Sequence, residues 1–404
     1  MSIFYLVFIL LAAYLSYRYD KIEEYDSHKQ HRLWLMCFYL ICLTGFSYGL
    51  GADKFTYMEE FEYYPNNFSE AEEYVLMGFI TRGQMPLWTL TNLLCKVIFN
   101  SFYAVQFLES AAINIAVCFI VSKYTNRYFL FLLIYFFSLQ YFIFNCEVMR
   151  EGFAIAFALI GMHFYMIGNK SLFFLFLLIG ILFHISIIIV LLFPFVMFRL
   201  SWNTLFLAVV LSFLLWLTSD FIMGKVISVA FGGTGAFAQK AMLYSLQAST
   251  IFGYLRSLLT YLVFPFIIMF FCIQSEPSDE MKKRKEKLTS FMVVLALIAT
   301  ALVPLARFYN YVRIFHLIMF ADFVYTLLQT RQHFIIRCGA FAGTSLLMFW
   351  FYFSYYHTTK TYYYDFFYPY TCILNEDNNV YFRSIAHDEA VNPQVTEKNT
   401  RDLE

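Results

Sequence analysis

The stretch that decides the fold is NCEVMREGFAIAFALIGMHFYMIGNKSLFFLFLLIGILFHISIIIVLLFP, from Asn145 to Pro194. Two long apolar segments meet at a short polar turn, Gly168-Asn169-Lys170. The apolar layer of a bilayer takes about 20 helical residues, and each segment is close to that length. The first opens on Arg150, and the second carries His184 inside an apolar run. An embedded charge costs roughly 2.5–3.5 kcal/mol on insertion scales, so such residues usually face a cavity, a partner or a substrate.

Similar apolar runs recur from end to end. The chain is 61% hydrophobic and only 14% charged, a balance foreign to a soluble domain of 404 residues. The runs do not alternate, which excludes an outer-membrane barrel. The expected fold is therefore all-α: a polytopic transmembrane bundle with about 10–12 membrane segments. One multi-pass domain is expected over 1–356, with outer loops at 51–85 and 224–250. An aromatic, then polar tail follows over 357–404 and is expected to be partly disordered. The first residues lack the positive n-region of a secretory signal. Arg18, Lys21, Lys29 and Arg32 follow the first apolar run, which places them in the cytoplasm and the start of the chain outside. The basic residues Lys282, Lys283, Arg284, Lys285 and Lys287 mark another cytoplasmic loop. Charge counting leaves a parity problem between 86–100 and 171–198. It is resolved either by a broken pair of short helices turning near His184, the preferred reading, or by a true crossing at 86–100.

The formal net charge is zero and no basic stripe is present, so nucleic acid is not an expected partner. Eight cysteines are scattered without a CxxC pair, which points to neither a zinc site nor a disulfide framework. GGTG at 232–235 lacks the Walker lysine. GxSxG, HExxH and Rossmann patterns are absent, so no metal or cofactor is expected.

Four places hold candidate chemistry. Arg150 stands above Ala154, Ala158 and Gly161 on one helical face. Small residues there let a second helix approach, or leave room for a lipid chain below a guanidinium that grips phosphate. Pairing with Glu147 or Glu151 is the structural alternative. His184 suits a hydrogen bond to a sugar hydroxyl or a general-base role, whereas Ser186 points elsewhere on a regular helix. Asp53 and Tyr57 lie in GxGxDxxxY beyond a membrane helix. Asp53 either orients an acceptor hydroxyl or caps a helix starting at Lys54. RFYNYVRIFH supplies Arg307, Tyr309, Arg313 and His316, of which 309, 313 and 316 share a face and Arg307 does not. Glu109, Asp220 and Asp322 are weaker candidates within apolar runs.

These motifs resemble, in order and spacing, the EpsG family of bacterial membrane proteins, which is related to Wzy-type O-antigen and capsule polymerases. The matching elements are GxGxDxxxY at Gly49–Tyr57, MREGFAIA at Met149–Ala156, FHISIII at Phe183–Ile189, RFYNYVR at Arg307–Arg313 and YYYDFFYPY at Tyr362–Tyr370. The family more often has Gln where this chain has Glu151. The resemblance implies a layout similar to lipid-linked (GT-C-type) glycosyltransferases. It implies a polymerase in the bacterial inner membrane that joins undecaprenyl-diphosphate-linked oligosaccharides at the outer face. Arg150 with Arg307 or Arg313 would hold the diphosphate without a metal, Tyr57 and Tyr309 would contact substrate, and Asp53 or His184 would take the hydroxyl proton. The lipid bilayer, and a chain-length regulator and flippase of the same pathway, are the implied partners. A transporter of lipid-linked sugars and a membrane O-acyltransferase are the alternatives.

Overall fold

A computed structural model describes residues 3–51, 53–219, 221–222, 250–329 and 366–374. These are helical apart from turns and one isolated β-bridge. The chain runs α1 (Ile3–Tyr19), α2 (Ser27–Gly45), α3 (Lys54–Glu62), α4 (Ala71–Arg82), α5 (Pro86–Phe99) and α6 (Phe102–Tyr124). Then come α7 (Tyr128–Phe137), α8 (Gln140–Phe142), a π-helical turn (Ile143–Glu147), α9 (Met149–Met166), α10 (Lys170–Ile181), a 3-10 segment (Ile185–Phe195) and α11 (Trp202–Leu217). After 250 follow α12 (Ile251–Ser257), a π-helical segment (Leu258–Val263), α13 (Phe264–Gln274), α14 (Asp279–Ala301), a 3-10 segment (Val303–Tyr309) and α15 (Asn310–Gln329). Among the described residues Phe102–Tyr124, Ile251–Gln274 and Leu305–Leu328 are long and apolar enough to cross a membrane, and Tyr128–Phe137 with Gln140–Glu147 forms an apolar pair bent by 78°, the geometry of a broken span or a re-entrant loop. Five shorter apolar helices accompany them. The chain is a multi-pass membrane protein.

Local sequence explains the boundaries. Asp26, Asn169, Ser201 and Ser278 each accept a backbone N–H at the start of their helices, the standard role of these residue types. Pro86 opens α5, where its missing N–H costs nothing. The long run after Ser171 breaks at His184, as the broken-pair reading expects. There α10 ends, His184 is extended, and the 3-10 segment begins. The acidic stretch 51–85, expected as a loop, contains α3 and α4. Most of the stretch 224–250, including GGTG, lies outside the described residues, as do Asp220 and most of the tail.

The chain divides into two compact units: Met1–Ala71 with Leu90–Phe153 and Val324–Glu404, and Glu72–Thr89 with Ala154–Phe323. In the first, α2 packs closely on α6. A side chain at Gly45 would meet the Phe107 ring at 2.7 Å, so only glycine permits this approach. A polar spine fills the contact. Thr44 Oγ1 lies 2.7 Å from Ser110 Oγ and donates to Asn145 Oδ1 at 3.1 Å, to which Asn114 Nδ2 also donates at 2.8 Å. Gln106 Nε2 donates to the Thr44, Gly45 and Ser47 carbonyls. With no water in the apolar layer, such groups must be met inside the protein.

In the second unit, the small face of α9 receives α10. A Cβ at Gly161 would lie 3.3 Å from Phe176 Cβ and 3.4 Å from the Phe173 carbonyl. Of the two uses open for Ala154, Ala158 and Gly161, the structure shows the helix approach. Asp322 is accounted for by an ion pair with Lys285 at 3.1 Å, which Glu276 joins at 2.7 Å.

Candidate functional site

In the first unit the GxG segment and the late aromatic element meet. Tyr48 N–H donates to the Thr371 carbonyl at 2.9 Å, Gly51 N–H to the Phe366 carbonyl at 2.8 Å, and Ile373 N–H to the Phe46 carbonyl at 3.0 Å. Gly49 and Gly51 take φ of 55° and 89°, left-handed values that favour glycine, and this bends the chain into α3. A Cβ at Gly51 would also lie 2.8 Å from Glu147 Oε1.

This turn delivers Asp53 and Tyr57. The helix does begin at Lys54, but Asp53 makes no side-chain cap, so the capping role is not taken. Its carbonyl accepts from Tyr57 N–H at 3.2 Å, and its carboxylate acts electrostatically on the Tyr57 hydroxyl. Arg150, in the first turn of α9, lies over the Tyr57 ring with its guanidinium carbon 5.4 Å from the centroid. Glu60 and Tyr64 also act on it. Among the described contacts Arg150 turns to Tyr57 and Glu60 of α3. Burial pushes the Tyr57 hydroxyl up to about 12, so it keeps its proton at neutral pH and can donate. Asp53, Tyr57 and Arg150 are thus brought together. Gly152 shapes this turn: a Cβ there would lie 2.4 Å from the buried carboxylate of Glu109 and 2.9 Å from the Phe144 carbonyl.

The second unit holds the other group. Arg313 projects from α15 with its guanidinium carbon 5.0 Å from the Tyr309 ring and 5.5 Å from the Tyr261 ring. The two rings are 5.2 Å apart, edge to face. Tyr261 comes from the π-helical segment Leu258–Val263, a distortion common at functional sites. His316, one turn further along α15, meets the Tyr309 ring at 6.3 Å. Among the described residues the Tyr309 hydroxyl, Arg313 Nε and His316 Nδ1 are buried without a hydrogen-bond partner. Thr260 Oγ1, beside Tyr261, is in the same state. The shared face of 309, 313 and 316 is therefore real. Arg307 is exposed at the end of the preceding 3-10 segment.

His184, which caps the 3-10 segment Ile185–Phe195, is linked through Ser186 to another place on α15. Its Nδ1 lies 2.6 Å from Ser186 Oγ, which lies 2.6 Å from the Tyr311 hydroxyl. Tyr311 is two residues from Arg313, roughly 160° away around the helix axis. The structure therefore ties His184 to the opposite side of α15 from the Arg313 face. Ser186 does not point away from His184 as a regular helix would require. The chain is broken there, and the extended backbone of His184 turns both side chains together. Tyr261, Thr260 and Tyr311 are the residues that the sequence alone did not single out. Tyr261 and Thr260 sit in an apolar run with no periodic signal.

A family model, the EpsG family, matches residues 31–372. The chain belongs to the EpsG family. Neither the curated proteins nor the solved structures contain a match. The EpsG match takes in Asp53, Tyr57, Arg150, His184, Tyr309 and Arg313. It ends at Cys372, the residue bridged to Ser47. EpsG membership supports a role in polysaccharide biosynthesis of the polymerase, glycosyltransferase-like kind.

Proposed function

We propose that this EpsG protein is a polymerase of the bacterial inner membrane that joins undecaprenyl-diphosphate-linked oligosaccharide repeat units at the outer face. The observation that carries this reading is the face shared by Tyr309, at the end of the 3-10 segment, with Arg313 and His316 of α15. Nearly all buried polar atoms in folded proteins are hydrogen-bonded, so three without a described partner on one face suit a ligand that supplies its own. A diphosphate offers oxygens and negative charge to the guanidinium and phenol, and the rings beside them suit its sugar.

In the reaction, a hydroxyl oxygen of the acceptor sugar attacks the anomeric carbon of the donor sugar. The bond from that carbon to the diphosphate oxygen breaks. The electron pair leaves with the diphosphate, and the hydroxyl proton passes to a base. Arg313 meets the charge that builds on the leaving oxygen, which is the main demand on the enzyme. Arg150, seated over Tyr57, is a second cation of the same chemistry, with Tyr57 a proton-bearing donor beside it. Asp53 is the carboxylate suited to receive the proton. With arginines carrying the positive charge, the scheme uses no metal. A chain-length regulator and a flippase of the pathway are the expected protein partners.

The test is deletion from the host followed by electrophoresis of surface polysaccharide and lipid-linked intermediates. Complementation uses wild type, Arg150→Ala and Arg313→Ala. The polymerase reading expects the ladder to collapse to a single repeat unit and wild type alone to restore it. An intact ladder with altered acylation indicates an acyltransferase. Repeat units trapped on the inner side indicate a transporter.

A further inference from the structure

We infer that Tyr261 is a positioning residue for Arg313: the face of its ring, not its hydroxyl, holds the guanidinium charged and ready for the diphosphate. The role in diphosphate binding rests on the polymerase reading; the ring contact itself does not.

An arginine within an apolar layer is usually held by a carboxylate or by backbone carbonyls. Arg313 is held by rings. Its guanidinium carbon is 5.5 Å from the centre of Tyr261 and 5.0 Å from that of Tyr309, both within cation–π range. The ring centres are 5.2 Å apart, so the three points make a nearly equilateral triangle. The guanidinium therefore sits in the corner of an edge-to-face pair, bounded by both rings. Among the described residues no hydrogen bond or ion pair reaches it, and its Nε is buried without a partner. Arg313 and Tyr261 are themselves half-buried, so the cation is not sealed in.

This choice of partner suits an anion site. A carboxylate would cancel the charge and occupy the N–H donors that a phosphate needs. An aromatic face lowers the cost of placing the charge and leaves the charge in place.

Two local features bring the rings there. Tyr309 stands four residues before Arg313, about one helical turn away. Tyr261 comes from the π-helical segment Leu258–Val263, closed by Phe264 N–H donating to the Leu259 carbonyl five residues back. The extra residue in such a turn rotates the side chains beyond it by roughly 100° from an unbroken helix. The widened turn thus sets which side chain of this apolar run meets Arg313.

The two tyrosines have different parts. The Tyr309 hydroxyl is buried without a partner, so it is a group for the ligand. The Tyr261 hydroxyl is not in that state, and its contact with Arg313 is through the ring.

The test uses the full chain in lipid nanodiscs, with undecaprenyl diphosphate as the binding probe. Tyr261→Phe keeps the ring and should bind within about 3-fold of wild type. Tyr261→Leu removes the ring and should weaken binding roughly 10- to 30-fold, the worth of one cation–π contact away from water. If that variant does not fold, a trifluorinated phenylalanine in place of Tyr261 keeps the ring's shape and takes away its negative face. It should bind roughly 10-fold more weakly than Tyr261→Phe, whereas a packing role would not respond to fluorine. In the Arg313→Ala background Tyr261→Leu should cost less than about 2-fold more, because its effect passes through that cation. A second readout needs no substrate. With 15N-labelled arginine, the Arg313 Nε–H signal is assigned by its loss in Arg313→Lys. It should lie upfield under the ring currents and move downfield in Tyr261→Leu but not in Tyr261→Phe. Binding as weak in Tyr261→Phe as in Tyr261→Leu, indifference to fluorine, or an unshifted Nε–H signal overturns the inference. A wild type that does not bind the probe, with its Nε–H signal still shifted, defeats the polymerase reading and leaves the ring contact standing.

Discussion

At the scale of single residues, the most telling groups are those the protein leaves unsatisfied. A buried polar atom without a partner costs about 1–3 kcal/mol. Tyr309 sits on the face it shares with Arg313 and His316, and its hydroxyl has no partner among the described residues. Tyr309→Phe is therefore expected to leave thermal stability unchanged or raised by about 1 kcal/mol, while polymer formation falls about tenfold. Thermal unfolding of the solubilised protein and the vesicle assay check this together. A loss of stability equal to the loss of activity would make the hydroxyl structural. This face was legible in the sequence because 309, 313 and 316 repeat at helical spacing. Asp53 and Tyr57 were legible for the same reason, four residues apart at a helix start. Tyr261 and Thr260 were not, because a π-helical turn leaves no trace in the spacing of an apolar run. Ser186 was misplaced because the face rule assumes a regular helix, and His184 ends one.

At the scale of elements, breaks and caps decide where side chains go. The long run after Ser171 looked continuous by hydropathy, and only the charge count asked for a break within it. The cap of α7 was beyond any local reading. Arg127 at its N-cap position makes no side-chain capping bond. Instead Asp20, in the turn after α1, accepts from Phe129 N–H at 3.2 Å and Leu130 N–H at 2.8 Å. Arg127 Nη1 donates to the Asp20 carbonyl and pairs with Glu23. Burial raises the Asp20 carboxyl from its ordinary 3.8 to about 6, against the pull of the two N–H donors and Lys29. The folded chain therefore holds this proton at pH values where the unfolded chain has released it. The stability linked to that proton is full below about pH 4 and is lost as pH rises through about 6, a change on the order of 3 kcal/mol. The unfolding temperature of wild type minus that of Asp20→Asn should accordingly fall between pH 4 and 7. A flat difference would mean that the carboxyl titrates normally in the fold.

At the scale of the whole molecule, the membrane class was plain from composition and recurrent apolar runs, because the bilayer leaves few alternatives to helices. Which distant segments meet was not plain, since pairing across several hundred residues leaves no local mark. The clearest case is the stretch 366–373 against 46–51. The sequence contained both motifs, but nothing in either names the other. Their union satisfies the N–H groups of Tyr48, Gly51 and Ile373, and Thr371 Oγ1 donates to the Tyr48 carbonyl at 2.5 Å. Tyr5 donates to the Phe367 carbonyl at 2.8 Å, which ties α1 to the same segment. Each N–H deprived of its partner in this buried place costs about 1–3 kcal/mol. The segment also fixes the turn that presents Asp53 and Tyr57. Truncation after Asp365 is therefore expected to abolish the polysaccharide ladder and lower the unfolding temperature. Truncation after Leu374 keeps every one of these bonds and all of the stretch matched to the EpsG family, and should support a full ladder. Membrane abundance is measured beside the ladder in both strains. If the longer truncation keeps the ladder, residues 46–51 hold their bend without 366–373; if the shorter one loses it, residues 375–404 carry part of the activity.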